Sequence, residues 1–264
     1  MRFLSLIVLS FALIACGQEQ VGDQAALSPS QTEQVKALIR DTLKQDPQIV
    51  VDSLEAYREK QRADASQKQE ATLKEQKDKI LNNAEDPVYG NPNGDITVVE
   101  FFDYNCPYCK QVWHPLKDTV DQDGQVRLVF KEFPILGDSS TLAAKAALAA
   151  HSQGKYAAMH EALMDYKQPK DEAAIRQLAT SAGLNADQLF KDMESPKIAD
   201  HIAATRQLAI ALNISGTPAF IVGESFYPGA LTMGELKDFI AKERAKKAAA
   251  VEPSSAPIPP AAQQ

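Results

Sequence analysis

The chain has 264 residues, 44% of them hydrophobic and 24% charged, with a formal charge of −7. That composition is ordinary for a soluble globular protein, and the length allows a sizeable core with appendages. The acidic balance argues against a general nucleic-acid-binding surface, and no segment after the N-terminus is long and apolar enough to span a bilayer. Three cysteines are too few for a disulfide-stapled scaffold; Cys16 lies far from the others, which leaves Cys106 and Cys109 as a pair.

Met1–Ala15 carries one early charge, Arg2, followed by an apolar run from Phe3 to Ile14. This is a secretory signal pattern, too short for a comfortable transmembrane helix. It ends in Leu13-Ile14-Ala15-Cys16-Gly17, which resembles the lipobox of bacterial lipoproteins. The resemblance implies loss of residues 1–15 and acylation of Cys16, with more than one chain giving stable membrane attachment. Gly17, rather than Asp, after the cysteine points to the outer membrane in a cell with two membranes. The alternative is an ordinary signal peptide with an incidental cysteine. Either way the chain is expected in the periplasm or cell envelope, where disulfides are stable and exchangeable. Residues 16–27 read as a polar, flexible linker.

From Ser28 the pattern turns helical. Ser28 or Ser30 can cap, and Val35, Leu38, Ile39 and Leu43 recur at helical spacing. Asp46-Pro47 restarts a helix as N-cap and first-turn proline. Ile49, Val50, Val51, Leu54 and Tyr57 give that helix an apolar side, and beyond Arg58 it becomes almost wholly polar, as a solvent-bridging spacer would be. Two small apolar helices cannot bury themselves alone. Residues 28–82 therefore read as a helical stalk that either packs on the next domain or joins copies of the chain into a homo-oligomer.

Asn82–Asp95 reads as a turn-rich loop. Ile96–Phe102 follows as a strand apolar on both faces, hence buried on both. Glu100 lies inside it and is expected either to be desolvated, with a raised pKa suited to relaying the proton of a thiol, or to reach solvent at a sheet edge. Cys106 is expected at the N-cap of a helix running to about Val120, where the partial positive charge favours the thiolate. Pro107 suits the first turn, and Cys109 lies one turn in, more buried. Pro107 and Tyr108 between the thiols would tune the redox balance. A C-x-x-C can also be half a zinc site, but no His stands at the usual second spacing, and no metal or other cofactor is expected. Trp113 and His114 read as packing and surface residues, and His151, His160 and His201 as satisfied helix histidines.

Gln125–Phe133 reads as the next strand. Helices follow at Ser139–Gly154, Tyr156–Tyr166, Asp171–Ala182, Ala186–Met193 and Pro196–Leu212, interrupting the β pattern over about 138–212. The β pattern resumes at Ile214–Val222, where Pro218 is permitted at a strand start and is a candidate cis proline. A hairpin to Ser225–Tyr227 and a last helix, Met233–Lys246, close the domain. The Ala/Pro segment 247–264 reads as a disordered tail.

Three motifs in this order, V-E-F-F-D-Y-N-C-P-Y-C, F-K-E-F-P-I-L-G and G-T-P-A-F, resemble the DsbA family of periplasmic disulfide oxidoreductases. The resemblance implies an α/β chain: a thioredoxin fold over residues 83–246 with an inserted α-helical domain, preceded by the N-terminal helical stalk. It implies Cys106 as nucleophile, Cys109 as resolving thiol, Glu100 as the buried acid, and Thr217-Pro218 as the cis-Pro loop that binds an extended substrate by strand addition. The N-terminal helices resemble the ScsC-like branch, where a stalk can join protomers and is associated with isomerase activity. The partners so implied are exported cysteine-containing proteins, a membrane redox partner, and the membrane through Cys16. The expectation is an isomerase or reductase if oligomeric, with a DsbA-like dithiol oxidase as the alternative. A reading of another class is a copper-binding or chaperone lipoprotein using the two thiols as soft ligands.

Overall fold

The computed structural model describes residues 27–251. The signal segment, Cys16 with its lipobox, nearly all of the 16–27 linker and residues 252–264 lie outside the described residues. The chain divides into two compact units, one ending at Gln61 and the other beginning at Arg62.

In the first unit Ser28 caps α1 (Pro29–Gln45). Its hydroxyl accepts from the Gln31 backbone N–H, and the Gln31 side chain accepts from the Ser28 backbone N–H, closing a reciprocal capping box. No residue of α1 is buried. Leu38, Ile39, Val50, Val51 and Leu54 are all exposed. The second helix, α2 (Gln48–Glu75), starts one step later than Asp46-Pro47 suggests. Asp46 instead ends α1 through its N–H to Thr42 O, and its carbonyl accepts from Ile49 N.

The second unit takes the last turns of α2 and α3 (Lys77–Leu81) into its own core through Leu73 and Ile80. Its sheet has the order β1-β3-β2-β4-β5. The central pair, β2 (Ile96–Phe102) and β3 (Val126–Glu132), is parallel and is joined by the crossover helix α4 (Pro107–Asp123). Gly124 ends α4 in the left-handed conformation at φ 68°, which a residue without a Cβ adopts without strain. The stretch expected to be all loop before β2 contains an edge strand, β1 (Val88–Gly90), antiparallel to β3. Three residues are too few to show alternation.

The hairpin β4 (Ala219–Val222) and β5 (Ser225–Pro228) adds two antiparallel strands on the other side. Residues 214–218, read as the start of that strand, instead form a loop with a cis Thr217–Pro218 bond. Five helices intervene between β3 and β4: α5 (Asp138–Ser152), α6 (Tyr156–Asp165), α7 (Glu172–Ser181), α8 (Ala186–Met193) and α9 (Pro196–Ala211). Six alanines of α5 are buried, which lets neighbouring helices approach closely. The last helix, α10 (Met233–Val251), runs through Lys247 to Val251, five residues into the segment read as tail.

Alternation along β2 divides the core between the two faces of the sheet. Ile96, Val98 and Phe102 pack with Val112, Trp113, Leu116 and Val120 of α4 and with Leu236 and Ile240 of α10. Val99 and Phe101 face Leu73, Ile80, Leu208 and Leu212. Glu100 shares the α4 face with Val98 and Phe102.

Candidate active site

The C-terminal end of β2 delivers the chain to Asp103-Tyr104-Asn105, and this loop is tied down before the cysteines begin. The buried Asp103 carboxylate accepts from Asn105 N at 2.7 Å, Ile135 N at 2.8 Å, Leu136 N at 3.0 Å and Ser140 Oγ at 2.7 Å. One carboxylate thus joins the loop before Cys106 to the loop after β3. The Asp103 carbonyl accepts from Cys106 N at 3.0 Å, and the Cys106 carbonyl accepts from Lys110 N to open α4.

Cys106 is the N-cap of α4, with Pro107 in the first turn where its missing N–H costs nothing. Its side chain forms no regular capping bond, yet several donors favour the anion. The Cys106 thiol is pulled down to about 5, first by a hydrogen bond from Cys109 and then, against the cost of burial, by Thr217 and by the backbone N–H groups of Cys109 and Tyr108. As a thiol, Cys106 Sγ lies 3.2 Å from the Thr217 carbonyl oxygen. The cis-Pro loop and the nucleophile, 111 residues apart in sequence, are therefore in contact. Cys109 is fully buried. Burial pushes its pKa up, reinforced by its hydrogen bond to Cys106 and the charge of Glu100. Both cysteines are free thiols. Of the dipeptide between them, Tyr108 is 60% exposed.

A thiolate at a helix start, a buried second thiol one turn on and a facing cis-proline loop have counterparts in known proteins. The family described as DSBA-like thioredoxin domain matches residues 97–241. The chain belongs to the DSBA-like thioredoxin family. The N-terminal domain of the copper resistance protein ScsC also matches, over residues 31–64. A thioredoxin-like oxidoreductase from Silicibacter pomeroyi is 46% identical over 64% of this chain and 97% of its own, with a TM-score of 0.62. Proteus mirabilis ScsC in a transitional conformation is 29% identical over 83% of this chain and all of its own, with a TM-score of 0.61. Disulfide bond formation protein D of Bacillus subtilis is 29% identical over 60% of this chain and 76% of its own. The chain also matches Na(+)/H(+) antiporters, such as one from Salinispora tropica, of whose length it spans only 21%.

In this DSBA-like domain Glu100 is 1% exposed, and neither of its oxygens has a hydrogen-bond partner. Burial, then the charge of Cys106, raises its pKa to about 8. The charge of Cys106 acts on Glu100, and the charge of Glu100 acts on Cys109.

Beside it lies a buried network that the sequence reading did not single out. Glu132 Oε1 accepts from Tyr104 OH at 3.0 Å and Tyr156 OH at 2.7 Å, and Tyr104 OH meets His160 Nδ1 at 2.9 Å. Desolvation raises Glu132 and holds His160 neutral, with a pKa of about 3. The four residues come from a loop, a strand and one helix, so no local spacing betrays them.

His160 and His201 are both buried: His160 is held through Nδ1 by Tyr104 while its Nε2 has no hydrogen-bond partner, and His201 Nε2 lies 3.4 Å from Asp86 Oδ1. Trp113 is buried in the core as expected, while His114 Nε2 pairs with Asp165 Oδ1 on the surface. Among the described residues no group of three His, Cys, Asp or Glu is arranged to hold a metal ion, and no helix is long and apolar enough to cross a membrane.

Proposed function

We propose that this chain is a thiol–disulfide oxidoreductase of the cell envelope that acts on exported cysteine-containing proteins through a mixed disulfide at Cys106. The observation that carries this reading is the placement of Cys106 Sγ against the cis-Pro loop among donors that favour its thiolate, while Cys109 is held as a buried thiol. The Cys106 thiolate attacks one sulfur of a substrate disulfide. The Cys106–substrate S–S bond forms, the substrate S–S bond breaks, and the departing thiolate takes a proton from water. The substrate chain lies along residues 217–218. With Cys106 now uncharged in the mixed disulfide, one cause of the raised Glu100 pKa is gone; Glu100 releases its proton to water, and the carboxylate takes the proton of Cys109, which attacks Cys106 Sγ. The enzyme disulfide forms, and the substrate sulfur leaves and is reprotonated. Run backwards, the same steps oxidise a dithiol. If a free substrate thiol resolves the mixed disulfide instead, the result is isomerisation.

The direction of use is assigned to the N-terminal unit. The exposed apolar residues of α1 and early α2 suit a homo-oligomer that presents several sites to one client, favouring isomerase or reductase use. A membrane redox partner resets the thiol pair, and Cys16 carries the lipid that anchors the chain, on the outer membrane in a two-membrane cell.

The test is insulin reduction with dithiothreitol and refolding of scrambled ribonuclease, using the mature protein and a form lacking residues 17–61. The deletion stops at Gln61 because Leu73 and Ile80 belong to the catalytic core. Turnover in both assays, with isomerisation and the oligomeric mass lost in the shortened form, is the expected result. No insulin turnover, together with copper held by Cys106 and Cys109, would replace the enzyme with a metal-binding protein.

A further inference from the structure

The active-site loop is gripped from a direction that the thiol chemistry does not explain. Lys170, in the segment between α6 and α7, is only 2% exposed although it carries an amine. Its Nζ donates to Asn105 Oδ1 at 2.9 Å. The other end of the Asn105 amide donates to Ser139 Oγ at 2.7 Å and Ser140 Oγ at 2.9 Å. The Asn105 backbone N–H is held by Asp103. Both sulfurs hang from that loop: the Asp103 carbonyl accepts from Cys106 N, and the Asp103 backbone N–H favours the Cys109 anion. A continuous chain of hydrogen bonds thus runs from the helical insertion to the two cysteines.

We propose that Lys170 is a positioning residue for the thiol pair: its amine holds Asn105, and through Asn105 it sets the 103–105 loop that presents Cys106 and backs Cys109. Burying a lysine is costly unless its hydrogens are used, and this one is spent on the residue immediately before the nucleophile. The inference rests on the oxidoreductase reading and adds to it a role for the inserted helices, which brace the site rather than only cover it.

A second lysine is anchored in the same helical insertion. Lys110 Nζ reaches Met164 O at 2.8 Å, Tyr166 O at 2.5 Å and Leu163 O at 3.4 Å, one acceptor for each ammonium hydrogen. The charge of Lys110 acts on Lys170 and disfavours its charged form. Burial, then the charge of Lys110, brings Lys170 down to about 8, opposed by Asp103; Asp165 and Lys167 also face the pair. A neutral amine still donates to Asn105, but without the charge assistance that makes such a bond strong.

The test uses the full mature chain with Lys170→Met, Lys170→Arg, Asn105→Ala and the Lys170→Met/Asn105→Ala double variant. The readouts are the Cys106 thiolate titration by ultraviolet absorbance and the equilibrium with glutathione, which a merely structural lysine would leave alone. Loss of one charge-assisted bond predicts a rise in the Cys106 midpoint of roughly one pH unit for Lys170→Met. Lys170→Arg recovers part of that shift. Asn105→Ala gives a similar shift, and the double variant one no larger than either single change. A wild-type midpoint and glutathione equilibrium in Lys170→Met, even with a lowered melting temperature, overturns the proposal, as does an additive double variant. If Lys170→Met does not fold, a wild-type titration in Asn105→Ala overturns it alone. Failure of the oxidoreductase reading looks different: an unmodified chain that titrates normally but never turns over insulin.

Discussion

Replacing Glu100 with Gln removes a buried charge while keeping the shape of the side chain. Glu100 is 1% exposed with both oxygens unpartnered, and its pKa stands at about 8 against an ordinary 4.5. Between those values the native chain keeps a proton that the unfolded chain has lost. Stability therefore falls as pH rises, starting near 4.5 and levelling off above about 8. At about 1.4 kcal/mol per pH unit, the penalty is close to zero at pH 4.5, about 3 kcal/mol at pH 7 and about 5 kcal/mol above pH 8. Gln carries no such penalty, and the protonated carboxyl it replaces is equally unpartnered. The gain on substitution should follow the same rising curve. Urea unfolding of the reduced wild type and variant at pH 5, 7 and 9 measures it. The gain should shrink once the thiols are oxidised, because the Cys106 charge is the second cause of the shift. A stability difference that does not change with pH would refute the reasoning and place Glu100 in contact with water.

The Cys106 thiolate should titrate with a midpoint near 5, followed by ultraviolet absorbance and absent in Cys106→Ser; a midpoint above 8 contradicts the donor arrangement around the sulfur. Because that pKa is depressed in the folded state, it adds stability to the reduced chain that is complete above the unfolded value near 9 and lost as pH falls through about 5. Tyr156→Phe removes the 2.7 Å donor to the buried Glu132 and should cost about 1–3 kcal/mol in urea unfolding. An unchanged denaturation midpoint would mean that Glu132 does not depend on it.

Much of the thiol site was legible because its parts are local. A strand feeding a helix through C-x-x-C, a carboxylate inside an apolar strand and a Thr-Pro at the return of the β pattern each declare themselves in a few residues. Chain-order motifs then placed them on one fold. What was not legible depends on distance. β1 is three residues long and exists because the edge of β3 accepts it. The Glu132–Tyr104–Tyr156–His160 network and the Lys170–Asn105 bond join residues between 24 and 65 positions apart, and each member reads singly as an ordinary core or surface residue. The boundary of the N-terminal unit was hidden for another reason. The polar face of α2 continues unbroken past Gln61, while only Leu73, and Ile80 beyond it, report the switch to a second core.

The central claim is that Cys106 carries the substrate. Reduced Cys109→Ser protein incubated with scrambled ribonuclease and then acid-quenched should accumulate a covalent adduct, mapped by mass spectrometry to Cys106 and released by dithiothreitol. No adduct, or one that forms equally when Cys106 is replaced by Ser, would contradict the account.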